Sequence, residues 1–188
     1  NFGGADWHET SVVCVITGTK KLTLTDSPTI LNFTISWTTE STLNGLVLGG
    51  NLTCTGDFKF TGAETSIRPY IISSVNGTQR TITAATVTNG GTISAIDFQS
   101  INGAGGAGEW NLSGIASGNR GGNAGITFRA SANYYVKTLT ANRDWRANIW
   151  STSETGLTAD GATVFPLTQD TAVINNYSGD NTNKTLTV

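Results

Sequence analysis

Short runs of alternating apolar and polar residues recur along almost the whole chain. Val12-Val13-Cys14-Val15-Ile16 opens the series, and Lys21-Leu22-Thr23-Leu24-Thr25 follows. In Ile30 to Trp37 the alternation sets Leu31, Phe33, Ile35 and Trp37 on one face. Asn51 to Thr55 and Asp57 to Thr61 repeat the pattern on either side of Gly56. Tyr70-Ile71-Ile72, Arg80 to Thr83, Ala95 to Ile101 and Ile126-Thr127-Phe128 continue it. A period of two, carried by β-branched and aromatic residues, predicts half-buried strands. No stretch of about ten residues carries the 3.6-residue apolar period of a helix.

The strands are separated by residues that accept the positive φ of tight turns, as at Asn44-Gly45, Asn76-Gly77, Asn89-Gly90-Gly91 and Asn102-Gly103. Brief Gly corners suit a chain that coils and stacks each apolar row on the one before. Apolar runs recur loosely, about every 20 residues. The expected fold is therefore all-β: a β-solenoid (parallel β-helix) with Gly-rich loops. A β-sandwich or jelly roll, built from strands at about 8–12-residue spacing, is the alternative. Two segments break the pattern: Asn102 to Gly125, which is rich in glycine, and the stretch from Ala130 to Val188. A module boundary is expected near residues 129–133. Residues 1–129 would form the solenoid body with a Gly-rich closing coil. Residues 130–188 would start a second β module that continues or packs on a neighbour.

Composition sharpens this picture. Among 188 residues there are 32 threonines, 17 asparagines and 15 serines, against 13% charged residues. The average soluble domain carries about 25% charge. The net charge of −2 gives no basic footprint for nucleic acid, and the one adjacent basic pair is Lys20-Lys21. No apolar run reaches the ~20 residues of a membrane-spanning helix, so no membrane insertion is expected. The missing methionines and the strand-like ending Thr185 to Val188 suggest a piece of a longer chain. Cys14 and Cys54 both lie in strand-like runs, where buried free thiols or a disulfide are both allowed.

Several motifs carry a resemblance. Asn133-Tyr134-Tyr135-Val136, Asp144-Trp145, Asn148-Ile149-Trp150-Ser151, Phe165-Pro166 and Asp170 to Ile174 follow one another in order. This resembles the opening of a β-helix repeat module found in large phage structural proteins and bacterial surface adhesins. Ile93 to Phe98, Glu109-Trp110-Asn111 and Gly121 to Phe128 resemble the closing coil of such a module. The segment from Ser151 to Gly161 is poorer in glycine than the family pattern. The resemblance implies a tail-fibre, decoration or adhesion component on a virion or cell surface, with copies of itself or other surface proteins as partners.

Candidate chemistry is sparse. Gly103-x-Gly105-x-x-Gly108 matches a dinucleotide fingerprint in letters, but Glu109 to Gly114 supply no helix to face a pyrophosphate. His8 is the sole histidine, and no Gly-x-Ser-x-Gly accompanies it. Glycan cleavage needs two carboxyls about 5–10 Å apart. Asp97 and Glu109 are the pair to test for that role, with Asp57 also in the strand region. Asp160, Asp170 and Asp180 lack a calcium-loop spacing, so no metal and no cofactor are expected. Trp110 and Asn111, beside glycines, are the candidate ligand contacts, because an exposed aromatic face stacks on sugar rings. Trp37, Trp145, Trp150, Tyr134 and Tyr135 read as core or end-capping residues. Asn-x-Ser/Thr sequons fall at Asn32, Asn51, Asn76, Asn111, Asn176 and Asn183. The leading expectation is a non-enzymatic structural or adhesion module. A glycan-binding receptor-recognition module, or a polysaccharide lyase or hydrolase, is the alternative.

Overall fold

The computed structural model describes residues 7–38, 44–62, 68–89, 96–105, 110–137, 143–145, 147–155, 158–161, 164–174 and 186–187. Two compact units are present, Asn1–Arg129 and Ala130–Val188. The first contains β1 (Trp7–Ile16), β2 (Lys21–Leu24), β3 (Thr29–Trp37), β4 (Gly45–Leu48), β5 (Leu52–Thr61) and β6 (Tyr70–Ser73). It continues with β7 (Arg80–Asn89), β8 (Asp97–Gln99), β9 (Ile101–Ala104), β10 (Trp110–Leu112), β11 (Gly118–Asn119) and β12 (Ile126–Phe128). The second contains β13 (Asn133–Val136), β14 (Arg143–Asp144), β15 (Trp150–Ser151), β16 (Thr171–Val173) and β17 (Leu186–Thr187). The described residues include no helix.

The first unit is a β-solenoid. One sheet runs in the order β1-β3-β5-β7-β9, and a second runs β11-β8-β6-β4-β2. Each strand pairs in parallel with the strand one coil away. This parallel stacking excludes the sandwich alternative, whose sheets are antiparallel. Val12 pairs with Phe33, Phe33 with Phe58 and Phe58 with Val87, so corresponding positions line up as columns along the coils. The coil is longer than the recurrence read from the sequence. Contacts between adjacent coils join residues 21, 25 and 29 positions apart.

The inward columns form one continuous core. Phe33 stacks on Phe58 at 6.0 Å with the rings 9° apart, and Phe58 stacks on Trp110 at 5.5 Å. Phe60 meets Phe98 edge-on, and Phe98 meets Phe128 likewise. Ile30, Ile35, Leu46, Leu48, Leu52, Ile71 and Ile82 fill the space between. Gly103 lets the column close: a Cβ there would lie 2.7 Å from the Trp110 ring.

Four predicted strands differ in detail, each for a local reason. In β3 the buried member of the first pair is Ile30 and not Leu31, because the register shifts between Ile30 and Phe33. Such a shift moves side chains to the other face. Asn51–Thr55 and Asp57–Thr61 merge into β5, which runs through Gly56 with an irregularity between Cys54 and Asp57. The predicted strand from Ala95 to Ile101 is instead β8 and β9, separated at Ser100. Ser100 has φ +55°, a left-handed conformation that turns the chain from one sheet to the next.

The second unit is a smaller β arrangement. β13 pairs antiparallel with β15 and parallel with β16, and β14 pairs parallel with β17. Tyr134, Val136, Ile149, Trp150, Phe165 and Leu167 are buried in it.

Candidate functional site

The described residues among those singled out for chemistry make contacts within the fold. Asp97 starts β8 and is 8% exposed. Its Oδ1 accepts a 2.5 Å hydrogen bond from Nε of Arg68, and both side chains are largely buried. A charge-assisted pair of this kind satisfies both groups at once. Glu109, the proposed second carboxylate, lies outside the described residues, so the Asp97–Glu109 separation does too. Asp57 accepts from the Thr86 hydroxyl at 2.9 Å, one coil away.

Trp110 departs from its expected exposure. It is 1% exposed, stacked on Phe58 and seated over Gly103. Its indole nitrogen is buried without a hydrogen-bond acceptor. The nearby glycines make room for the ring where they had suggested a loop that presents it. Asn111 is exposed, and its Oδ1 accepts from the Ser113 amide at 3.0 Å and the Ser113 hydroxyl at 2.6 Å. That closes a local Asx-type turn. Trp37 is buried in the solenoid core. Gly103 ends the dinucleotide-like resemblance inside β9, and β10 follows where that fold needs a helix. Gly108 lies outside the described residues, as does the side chain of His8.

In the second unit, carboxylates organise backbone. Asp160 accepts from the Ser151 hydroxyl at 2.8 Å, the Thr152 amide at 2.7 Å and the Thr152 hydroxyl at 3.0 Å. The Thr152 amide first, then the Ser151 hydroxyl, hold the Asp160 carboxyl below the usual range for aspartate. Asp170 accepts from the Ala132 amide at 2.9 Å and the Leu167 amide at 2.7 Å. Asp180 lies outside the described residues. No group of three or more His, Cys, Asp or Glu side chains among the described residues is placed to hold a metal ion. Lys137 is buried and donates from Nζ to the Ser153 carbonyl, with the Tyr135 ring 5.7 Å away. Trp150 packs on Trp145 at 4.6 Å and donates Nε1–H to the Trp145 carbonyl at 2.7 Å.

Both cysteines are free thiols. Burial pushes the Cys54 thiol up to about 12 and raises that of Cys14 as well. Neither is an activated thiolate at neutral pH.

A further set of polar residues reads in the sequence only as sequons (Asn32, Asn51) or turn residues (Asn44). They are the asparagines that tie coil to coil. Asn32 donates to the Ser11 hydroxyl at 2.9 Å on one side and accepts from the Asp57 amide at 2.7 Å on the other. Asn51 accepts from the Thr81 amide at 2.9 Å, and its own amide donates to Ser27 at 3.0 Å. Asn44, fully buried, accepts from the Lys20 amide at 2.8 Å. Asn123 accepts from the Ile101 amide at 2.9 Å and donates to the Phe98 carbonyl at 2.9 Å. Their partners lie 21 to 30 residues away, so no local signal marks these ties.

No protein-family model, curated protein or solved structure matches the chain. No helix among the described residues is long and apolar enough to cross a membrane.

Proposed function

We propose that the chain is a non-catalytic structural module, a stiff β-solenoid segment of a fibre, stalk or decoration on a virion or cell surface. The observation that carries this reading is the use of polar side chains as coil-to-coil ties. Asn32, Asn51 and Asn123 each bridge neighbouring coils, and Asp57 joins Thr86 across another step. Side chains spent in this way resist bending and shear along the coil axis. The low charge and high Thr and Asn content accord with the same role, as does the motif resemblance to phage and adhesin β-helix modules. Partners are other copies or adjoining surface proteins.

The test has two arms. Antibody labelling of intact particles and cells of the source organism should decorate their surface. A panel of acidic and neutral polysaccharides should remain uncleaved by the purified chain. Turnover that disappears in Asp97→Asn while the β spectrum is kept would overturn the non-catalytic reading in favour of a glycan-cleaving enzyme.

A further inference from the structure

An Asn-Gly pair is a point at which a polypeptide can modify itself. The glycine nitrogen attacks the asparagine side-chain carbon, and glycine has no side chain to obstruct the approach. Four such pairs occur, Asn44-Gly45, Asn76-Gly77, Asn89-Gly90 and Asn102-Gly103. Gly90 lies outside the described residues, and the solenoid treats the other three pairs differently. Asn44 is fully buried and its Oδ1 holds the Lys20 amide. The Tyr70 ring occupies the space that a Cβ on Gly45 would need. Asn102-Gly103 lies within β9, where the Gly103 amide donates to the Ala124 carbonyl at 2.9 Å. The Asn102 side-chain amide donates to the Thr81 hydroxyl at 3.4 Å. One pair is shielded from solvent, and the other has its nitrogen committed to a backbone hydrogen bond.

Asn76-Gly77 is built otherwise. Both residues are exposed, at the centre of a turn closed by the Thr78 amide on the Val75 carbonyl at 3.1 Å. Gly77 has φ +78°, with open space around its Cα. Two side chains from the next coil reach the two groups that would react. Gln99 donates Nε2–H to the Asn76 Oδ1 at 3.0 Å. Negative charge gathers on that oxygen as the ring closes, and a donor aimed at it lowers the barrier. The Gly77 amide donates to the Ser100 hydroxyl at 3.3 Å, beyond the usual N–H···O range of about 2.7–3.2 Å. The attacking nitrogen is therefore held only weakly, and the proton it must lose faces a hydroxyl. Ser100 is 2% exposed and is the one non-glycine among the described residues with a positive φ.

We infer that Asn76-Gly77 is a self-modification site, where the chain closes a cyclic imide that water opens to aspartate or isoaspartate. The Gly77 nitrogen bonds to Cγ of Asn76 as the Cγ–Nδ2 bond breaks. Solvent base removes the Gly77 N–H proton, solvent returns a proton to Nδ2, and Nδ2 leaves as ammonia. Water then adds to one imide carbonyl and breaks its bond to the Gly77 nitrogen. Opening at Cγ restores the ordinary backbone with an aspartate side chain. Opening at the α-carbonyl routes the backbone through Cγ and leaves the α-carboxylate as the side group. Either product places a carboxylate on a turn that has no charged residue from Val75 to Gln79. The site stands apart from the structural-module reading.

The test incubates the purified full chain at mildly alkaline pH, with ammonia release, peptide mapping and isoaspartyl-methyltransferase labelling as readouts. Asn76 should convert while Asn44 and Asn102 stay intact, and Asn76→Gln should remove the corresponding ammonia. Gln99→Leu deletes the donor to Oδ1 and should slow conversion of Asn76 by about tenfold or more, with an unchanged melting temperature. Should that variant fail to fold, wild type unfolded in guanidinium supplies the comparison. Unfolding removes every contact, so Asn44, Asn76 and Asn102 should then convert at similar rates. An Asn76 that survives in the folded chain as long as Asn44 does, or a folded Gln99→Leu protein that converts at the wild-type rate, overturns the site. So does a preference for Asn76 that persists in the unfolded chain.

Discussion

Phe58→Ala removes the middle ring of the aromatic column. Phe58 is fully buried, stacked between Phe33 and Trp110 and tilted against Phe60 at 5.9 Å. Truncating a core phenylalanine to alanine costs about 3–5 kcal/mol. Aromatic pairs add about 0.5–1.5 kcal/mol beyond the buried area, which places this site at the middle to upper end of that range. Taking about 4 kcal/mol, and an unfolding entropy of about 2.1 cal/mol/K per residue over the unit Asn1–Arg129, Tm should fall by about 15 °C. The neighbouring outward position gives the control. Lys59→Ala changes a surface row, where effects stay within about 0.5 kcal/mol, so its Tm should move by about 2 °C or less. Differential scanning calorimetry of both variants, with circular dichroism to confirm the native β spectrum, measures the contrast. A Phe58→Ala protein that melts within 3 °C of wild type would refute the claim that the stacked rings hold the coils together.

Three further outcomes separate structural from functional roles. Trp110→Ala should destabilise the solenoid by about 3–5 kcal/mol, read by denaturant titration; an unchanged midpoint with lost retention on a glycan column would return Trp110 to a ligand role. Asp97→Asn leaves the Arg68 guanidinium buried without its carboxylate and should cost about 3 kcal/mol, and Asp97→Asn/Arg68→Met should recover part of that loss in the same titration. Asp160 has a folded carboxyl held below its unfolded value, so its contribution is present above about pH 4 and is lost as pH falls through the lower folded value. Tryptophan fluorescence around Trp145 and Trp150 should therefore report loosening below about pH 4, and Asp160→Asn should flatten that dependence; an identical acid transition in the variant would refute it.

The solenoid was legible in the sequence because period-two runs and Gly or Asn corners are local signals. Ile30 to Trp37 and Tyr70 to Ile72 declare themselves without reference to any other part of the chain. Coil length was not legible, since the turns between sheets vary and adjacent-coil partners lie 21 to 30 residues apart. The same distance hid the site chemistry. Asp97 is paired with a residue 29 positions earlier, and Asn32 acts on residues 21 and 25 positions away. Trp110 was misread because glycine has two uses. Glycines beside a ring can mean a loose loop, or they can mean that the ring needs the space a Cβ would take, as at Gly103. Only the packing distinguishes them.

The scarcity of charge follows from the stacking itself. In a parallel solenoid each outward side chain faces the equivalent one on the next coil, about 4.8 Å away. A charged residue repeated in register would repel its neighbour at every step. The row through Val13 accordingly reads Thr34 and Lys59, and the row through Val15 reads Ser36 and Thr61. One lysine beside a threonine is tolerated, and hydroxyl-bearing residues fill the other positions. The first coil places valines where later coils place Thr, Ser and Lys, so these rows begin uncharged as well.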